Sequence, residues 1–162
     1  MIGSWIHWPR YGVEESYKLG MDWLNPCYEV EDWGCGPAYS KQYRKGNYTG
    51  VDGTAGFCDV VDDLRTRRSD VDGIFMRHVL EHNHDWQKIL DNAIASFRER
   101  MSLIFFSPWA QETHVANETN GIIVLEFNKE DILKTIRPFL KGEITVKRTD
   151  KQMYDTVLKL QK

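Results

Sequence analysis

The chain is poor in cysteine, and it lacks both a basic surplus and any long apolar run. Its three cysteines, Cys27, Cys35 and Cys58, are odd in number and show no Cys-x-x-Cys spacing. This pattern disfavours a disulfide framework and a zinc site, and it predicts reduced thiols and no bound metal. The formal net charge of -3 and the pI of about 6.0 argue against a broad nucleic-acid-binding surface, which normally shows as a basic surplus. A local basic patch is still compatible with the sequence, although the densest basic run, residues 65–68, is better interpreted as a solvated loop.

A recognisable targeting segment is also lacking. The first residues have no basic start and no extended apolar run, so we expect no signal peptide. No stretch approaches the roughly 20 apolar residues that a membrane-spanning helix needs. These absences predict a cytoplasmic protein without a membrane span.

What is present suits one folded domain. The 162 residues are 41% hydrophobic and 12% aromatic, which is enough for a core of its own. We expect a single domain over residues 1–162 that begins with a short arm and a helix, at about 1–26. The aromatic arm, residues 1–12, either packs on the domain or acts as a flap over a substrate pocket.

Apolar runs that suit strands alternate along the chain with segments of helical periodicity. Strands are predicted at 27–32, 48–52, 57–61, 71–76 and 103–106, followed by a hairpin made of a strand after Gly142 and a strand at 154–160. Helices are predicted at 13–24, at about 39–44, from His84-Asp85 to Met101 and from Asn128 to about 137, whereas 108–121 is predicted as a polar loop. This order predicts an α/β, doubly wound sheet that is mostly parallel and ends in an antiparallel hairpin.

The most informative stretch is residues 30–38, where a predicted strand runs into a glycine turn. Only Cys35 separates Gly34 from Gly36, and glycine lets a ligand approach the main chain closely because it has no Cβ. In an open α/β sheet, such a turn holds nucleotide-like cofactors at the carboxyl ends of the strands. Two glycines this close are weak evidence alone, so the prediction of a cofactor site depends largely on the residues that follow the other strands.

Acidic residues follow the next two predicted strands. Asp52 comes 16 residues after Gly36 and could accept both hydroxyls of a ribose. Asp63 follows the third strand and could accept from the amino group of an adenine, while its neighbour Asp62 is expected to be solvated. Both positions lie at the edge where ligands bind in a doubly wound sheet.

Together these residues resemble the class I S-adenosylmethionine-dependent methyltransferases. Asp32-x-Gly34-x-Gly36 is similar to their first motif, and the run from His78 to His82 is similar to the Leu-Glu-His signature of many small-molecule members. The resemblance implies a Rossmann-like sheet of seven strands and S-adenosyl-L-methionine as the cofactor. The cofactor-binding residues that it implies are Asp32, Trp33, Gly34, Cys35, Gly36, Asp52, Gly53, Thr54, Asp63, Leu64 and Arg77.

The chain departs from the family at two positions near the first motif. Ala38 stands where many members have a third glycine, and Trp33 is bulky for its position. The Asn/Asp-Pro-Pro-Tyr/Phe motif of amino-methylating nucleic-acid enzymes is absent. The resemblance therefore implies a small-molecule or modest polar acceptor, and it does not name that acceptor.

The leading hypothesis is methyl transfer, in which the protein mainly orients the reactants. His78 is the candidate general base for a hydroxyl acceptor, with a packing role as the alternative. Trp8, Tyr11 and Trp109 are weaker candidates for the wall of the acceptor pocket.

Two other hypotheses are open at this stage. The domain could hold S-adenosylmethionine as a sensor or partner subunit without transferring a methyl group. It could also be an NAD-dependent enzyme, although Tyr39 stands where the dinucleotide fingerprint has a glycine. Exposed aromatic side chains on a small, open domain would also allow a homodimer.

Overall fold

The computed structural model describes residues 14–107, 109–150 and 153–162. The predicted arm with its flap role, including Trp8 and Tyr11, lies outside the described residues. The strands are β1 (Glu29–Trp33), β2 (Asn47–Asp52), β3 (Val60–Val61), β4 (Val71–Arg77), β5 (Phe97–Ser107), β6 (His114–Thr119), β7 (Ile122–Glu126), β8 (Thr145–Asp150) and β9 (Met153–Gln161). The helices are α1 (Glu14–Leu24), α2 (Trp86–Ser96) and α3 (Lys129–Ile136), and 3₁₀ turns span Tyr39–Tyr43, Leu80–His82 and Arg137–Phe139.

Seven strands form one sheet in the order β3-β2-β1-β4-β5-β9-β8. The strands β1 to β5 run parallel, whereas β9 is antiparallel to β5 and β8 is antiparallel to β9. The strand order reverses between β1 and β4, which opens a crevice at the carboxyl ends of these two strands. The predicted α/β sheet with an antiparallel C-terminal hairpin is confirmed.

Helices cover both faces of this sheet. On one face, Met21 and Leu24 of α1 pack against Phe75 and Ile104. A Cβ added to Gly20 of α1 would lie 2.7 Å from the Phe75 ring, so this helix lies very close to the sheet. On the opposite face, α2 and α3 enclose the larger cluster of buried apolar side chains. None of the helices among the described residues is both long and apolar enough to cross a membrane.

The predicted helix from His84-Asp85 to Met101 was wrong at its C-terminal end. The helix α2 ends at Ser96, and Phe97 and Met101 belong to β5, which also begins earlier than predicted. Both side chains are buried in the same core cluster. A spacing of four residues is compatible with either structure, because alternate residues of a strand share a face as well.

The prediction of a polar loop at 108–121 was also wrong. Residues 114–119 form β6, which pairs with β7 in a separate two-stranded sheet. All six side chains of β6 are exposed, so the strand shows no apolar alternation. Asn120 and Gly121, with φ angles of 53° and 76°, form the turn. An Asn-Gly pair is typical of such a two-residue turn, and it was the feature of the sequence that could have predicted this hairpin.

The connections between the first strands contain less helix than the sequence predicted. The predicted helix at about 39–44 is a 3₁₀ turn, and the fully described connections from β2 to β3 and from β3 to β4 contain no helix. Loops tied by polar side chains therefore line this side of the crevice. Further along the chain, Asn128 caps α3 as predicted, since its Oδ1 accepts from the N–H of Glu130 at 2.9 Å.

Candidate functional site

The glycine turn that follows β1 is held against β2. The N–H groups of Gly34 and Cys35 donate to the carbonyl of Val51, at 2.7 and 3.1 Å. Gly34 has a φ of 76°, and a Cβ on it would lie 2.4 Å from Cγ2 of Val79. Glycine is therefore required here on both conformational and steric grounds.

Gly36, the second glycine, leaves open space beside the main chain. Its φ is 48°, and its N–H donates to Oδ2 of Asp52 at 3.0 Å. A Cβ added to Gly36 would have nothing within 4 Å. A ligand can therefore reach the backbone at this point.

Asp52 organises two turns at the end of β2. Its Oδ2 accepts from Gly36, and its Oδ1 accepts from the N–H of Thr54 at 2.9 Å. Gly53, which lies between Asp52 and Thr54 in the sequence, is exposed, and Thr54 is half-buried. A carboxylate oxygen can accept two hydrogen bonds, so each oxygen of Asp52 has capacity for a further donor such as a hydroxyl group.

Asp32 is buried at the end of β1, beneath the glycine turn. Its carboxylate accepts hydrogen bonds from Oγ of Ser40 and from the hydroxyl of Tyr48, the latter at 2.8 Å. Burial raises the pKa of Asp32 to about 6, although the two hydroxyl donors act in the opposite direction. These contacts join the 3₁₀ turn Tyr39–Tyr43 to β1 and β2.

Ala38 takes up a conformation that glycine would adopt at lower cost. Its φ of 57° lies in the left-handed region, immediately before the 3₁₀ turn that carries Ser40. The departure from a third glycine is therefore accommodated with backbone strain, and it leaves Ser40 in contact with Asp32.

Three of the candidate cofactor-binding side chains lie in the interior. Trp33 is fully buried, and its ring N–H donates to Oε2 of Glu31 at 2.7 Å. The side chains of Cys35 and Leu64 are also buried, and burial raises the pKa of the Cys35 thiol. The side chains of Trp33 and Leu64 therefore belong to the core, and these residues can contact a ligand in the crevice only through main-chain atoms.

Asp63 lies on an exposed turn and is already paired. Both of its carboxylate oxygens accept from the Arg65 guanidinium, at 2.7 to 3.0 Å, and this contact lowers the pKa of Asp63. Asp62, predicted to be solvated, is half-buried instead and pairs with Arg67 at 2.7 Å. Arg67 also binds Glu31 of β1 and thereby anchors this loop to the sheet.

Arg77 ends β4 and is buried against α1 and β9. Its Nη2 lies 3.0 Å from Oδ2 of Asp155. Its Nε donates to Oγ of Ser16 and its Nη1 to the hydroxyl of Tyr17, both at 3.0 Å. The guanidinium also lies over the Tyr17 ring. Arg77 thus connects the carboxyl end of β4 to the first helix and to the C-terminal hairpin.

His78 follows directly and contacts the same carboxylate. Its Nε2 lies 2.7 Å from Oδ1 of Asp155, and its backbone N–H donates to the backbone carbonyl of Ile104 at 2.9 Å. Its φ of 55° is unusual for a residue other than glycine. Burial and the nearby Arg77 outweigh Asp155 and lower the pKa of His78 to about 4, so the ring is neutral at pH 7.

The turn Leu80–His82 joins this region to the β6–β7 hairpin. Leu80 and Glu81 are buried, and Nδ1 of His82 lies 2.8 Å from the carbonyl of Ile123 in β7. Burial lowers the pKa of His82, so the neutral ring can donate to that carbonyl. Trp109, a candidate for the pocket wall, packs edge-to-face on the Phe105 ring at 5.0 Å between centroids.

Direct contacts therefore bring together most of the candidate residues in two adjoining groups. One group contains the glycine turn, Asp52 and Thr54, and the other contains Arg77 and His78. The contact of Gly34 with Val79 joins the two, since Val79 follows His78. Among the described residues, no group of three or more His, Cys, Asp or Glu side chains is arranged to hold a metal ion.

No protein-family model and no curated protein matches this chain. Several solved structures share its fold, among them methyltransferases with S-adenosylmethionine or S-adenosylhomocysteine bound. The 1,6-didemethyltoxoflavin-N1-methyltransferase of Burkholderia thailandensis, solved with its acceptor and S-adenosylhomocysteine, has a TM-score of 0.70 at 14% identity, over 92% of this chain and 77% of that one. This chain has the fold of a class I methyltransferase.

Two further methyltransferases show the same similarity. Magnesium protoporphyrin IX methyltransferase from Synechocystis PCC 6803, with S-adenosylmethionine bound, has a TM-score of 0.61 at 14% identity, over 91% of this chain and 80% of that one. The N-methyltransferase NodS of Bradyrhizobium japonicum, with S-adenosylhomocysteine bound, has a TM-score of 0.62 at 11% identity, over 91% and 85%. The fold of this chain is thus shared with three methyltransferases, one with S-adenosylmethionine bound and two with S-adenosylhomocysteine bound.

Sequence reasoning missed three residues of this class I methyltransferase fold that support the site. Ser40 and Tyr48 hold Asp32, and Asp155 holds Arg77 and His78. Ser40 and Tyr48 lie near the glycine turn, but no spacing rule marks them. Asp155 lies 77 residues after His78, and only the pairing of β9 with β5 brings it there.

Proposed function

We propose that this chain is an S-adenosylmethionine-dependent methyltransferase that acts on a small molecule. The observation that carries this proposal is the Gly34–Gly36 turn, which Asp52 ties to β2 at the point where the strand order reverses. Ligands of open α/β sheets bind at this point.

The residues of the crevice fit such a cofactor. Gly36 leaves space beside the main chain, and both oxygens of Asp52 can accept further hydrogen bonds. Asp52 would therefore hold the ribose hydroxyls, and the turn from Gly34 to Gly36 would hold the amino-acid tail. Asp63 would reach an adenine amino group only if the exposed Arg65 released it.

The cofactor, when bound, supplies a methyl group on a sulfonium that needs no further activation. The protein's own contribution is orientation, exclusion of water and, for a hydroxyl acceptor, removal of a proton. His78 is neutral at pH 7 and can accept that proton. Its pKa of about 4 makes it a weak base, which suits a proton whose release is assisted by methylation of the acceptor.

The second candidate function is a domain that binds S-adenosylmethionine without transferring a methyl group. Burial of the His78 side chain, which is 10% exposed, favours this alternative because an acceptor would have little access to the ring. The two functions share the cofactor crevice and differ at His78.

Calorimetric titration with S-adenosylhomocysteine and with NAD tests the shared part. We expect the wild-type chain to bind S-adenosylhomocysteine, and Asp52→Asn to bind it at least tenfold more weakly, because hydrogen bonds to a charged group contribute about 1.5–3 kcal/mol each. Asp59→Asn is the matched control, because Asp59 also accepts a hydrogen bond from a backbone N–H, that of Gly50 in β2, the strand that contains Asp52. Binding of NAD alone would contradict both candidate functions.

Transfer of a labelled methyl group to a panel of hydroxyl, amine and carboxylate acceptors then separates the two functions. Labelled product from any acceptor supports the transferase. For a hydroxyl acceptor, we expect His78→Ala to reduce turnover while the affinity for S-adenosylhomocysteine is unchanged. Unchanged turnover in His78→Ala would exclude the proton-accepting role of His78. Tight S-adenosylhomocysteine binding without product from the whole panel supports the binding domain.

A further inference from the structure

Asp155 is a buried acid that the C-terminal strand delivers to the candidate site. It lies near the start of β9, opposite Phe106 near the end of β5, and it is fully buried. Because β9 runs antiparallel, its beginning lies at the edge where the parallel strands end. A residue late in the sequence therefore reaches the same edge as the glycine turn.

The two oxygens of Asp155 have different partners. Oδ2 faces Nη2 of Arg77 at 3.0 Å, and Oδ1 faces Nε2 of His78 at 2.7 Å. The ion pair with Arg77 lowers the cost of a buried charge. His78 is thus held by an oxygen that Arg77 does not use.

The acid remains ionised in this position. Despite burial, the pKa of Asp155 is lowered, because His78, Arg77 and Ser16 all favour its charged form. The pKa of the facing His78 is lowered to about 4, so the contact is a neutral ring donating to a carboxylate. Such charge-assisted hydrogen bonds are short and strong.

We infer that Asp155 is a positioning residue that holds the His78 ring with its proton on Nε2. This tautomer carries its lone pair on Nδ1, the nitrogen that would accept a proton released by an O–H or N–H acceptor. Asp155 would then also stabilise the imidazolium that forms, as carboxylates do beside histidine bases. The catalytic consequence rests on the proposed function, whereas the hydrogen bond itself does not.

The backbone supports the same geometry. His78 has a φ of 55°, and its N–H is tied to Ile104 on the neighbouring strand. Strained positions of this kind persist only where the surroundings hold them, and they concentrate at functional sites. A contact that served only to neutralise Arg77 would not need His78 in this conformation.

The test reads the ring directly by proton–nitrogen NMR of the chain labelled at histidine. In the wild type at pH 7 we expect a ring N–H of His78 on Nε2, with a strongly downfield proton that exchanges slowly with water. In Asp155→Asn we expect an upfield move and at least tenfold faster exchange, because a neutral acceptor is weaker. The charged and titratable groups that face this ring are Arg77, Asp155 and His82.

Two further variants keep the inference testable if Asp155→Asn does not fold. The double variant Arg77→Met with Asp155→Leu removes both charges together and should lose the protected N–H altogether, since replacing a buried ion pair by apolar groups is often tolerated. Tyr17→Phe is the control, because it removes a hydrogen bond to Arg77 and leaves His78 untouched. An unchanged Nε2–H signal and exchange rate in the Asp155 variants would overturn the inference.

Activity and binding measurements distinguish this inference from the proposed function. If the wild type methylates a hydroxyl acceptor, Asp155→Asn should lower turnover about 10²- to 10⁴-fold, the range of general-base effects, without changing the affinity for S-adenosylhomocysteine. Absence of S-adenosylhomocysteine binding in the wild type contradicts the proposed function, while the NMR result still decides the role of Asp155.

Discussion

Asp32 and Asp155 are two buried carboxylates at the same edge of one sheet, with opposite electrostatic surroundings. Asp32 has hydroxyl partners, Ser40 and Tyr48, and burial raises its pKa to about 6. Asp155 has Arg77 and His78, and its pKa is lowered. The comparison teaches that burial alone does not decide the charge of an acid. The partners decide it, because the hydrogen bond from His78 and the charge of Arg77 together outweigh the desolvation penalty at Asp155.

The two acids also differ in what they hold together. Asp32 joins elements that are close in the sequence, and the turn it supports lies directly after it. Asp155 joins the end of β4, the helix α1 and the C-terminal strand. Loss of Asp155 should therefore disturb contacts over the whole length of the chain, whereas loss of Asp32 should remain local.

The largest effect is expected from Asp155→Ala. Removal of this acid leaves the Arg77 guanidinium buried without its carboxylate, so we expect a loss of about 3–5 kcal/mol in the free energy of unfolding. Urea denaturation followed by circular dichroism measures it. The double variant Arg77→Met with Asp155→Leu should recover most of the loss. If the double variant were as unstable as Asp155→Ala, charge compensation would not be the reason for the effect.

An intermediate effect is expected in the pH dependence of stability. The folded pKa of Asp32, about 6, lies above its ordinary value of 3.8. Its stabilising contribution is therefore complete below pH 3.8 and is lost as the pH rises through 6, with a magnitude of roughly 3 kcal/mol. Wild type and Asp32→Asn should thus diverge in unfolding free energy between pH 4 and pH 7. Parallel pH profiles for the two proteins would show that Asp32 has no raised pKa.

Asp155 should show the opposite dependence on pH. Its folded pKa is lowered, so its contribution is present above the ordinary value of 3.8 and is lost as the pH falls through the folded pKa. The same set of profiles, extended to Asp155→Asn, therefore tests both halves of the comparison.

The smallest effect is expected from Tyr48→Phe. This change removes one of the hydroxyl groups that bind Asp32 and keeps the ring, so we expect a loss of about 1 kcal/mol at pH 7. It should also raise the pKa of Asp32 further, since the carboxylate loses a donor. Carbon NMR of the labelled Asp32 carboxyl group measures this change. A lower pKa of Asp32 in Tyr48→Phe than in the wild type would contradict a stabilising hydrogen bond from Tyr48 to the Asp32 carboxylate.

Much of the fold was predictable because it depends on local patterns. The buried strand β4, the capping residue Asn128 and the turn from Gly34 to Gly36 each have a signal within a few residues. Predictions failed where two structures share one pattern. Phe97 and Met101 fit a helix and a strand equally well, and packing in the sheet decided between them.

The candidate site divides in the same way. The location of Asp52 beside the glycine turn was predictable, since its distance from that turn follows from one strand and one connection. The exposed strand β6 has no apolar alternation, so its hairpin depended on the turn residues Asn120 and Gly121 and on packing against the Leu80–His82 turn. The pairing of Asp63 with Arg65 was not predictable either, because it depends on the path of an exposed turn.

By itself, the sequence determined the seven strands of the main sheet, the glycine turn after β1 and the acid after β2. These features are local, because backbone conformation and periodicity are encoded in neighbouring residues. Only the tertiary structure decided that the glycine turn rests on the buried Asp32 and that Asp155 meets Arg77 and His78. Those contacts depend on strand pairing across the sheet, and the antiparallel direction of β9 places residue 155 beside residues 77 and 78.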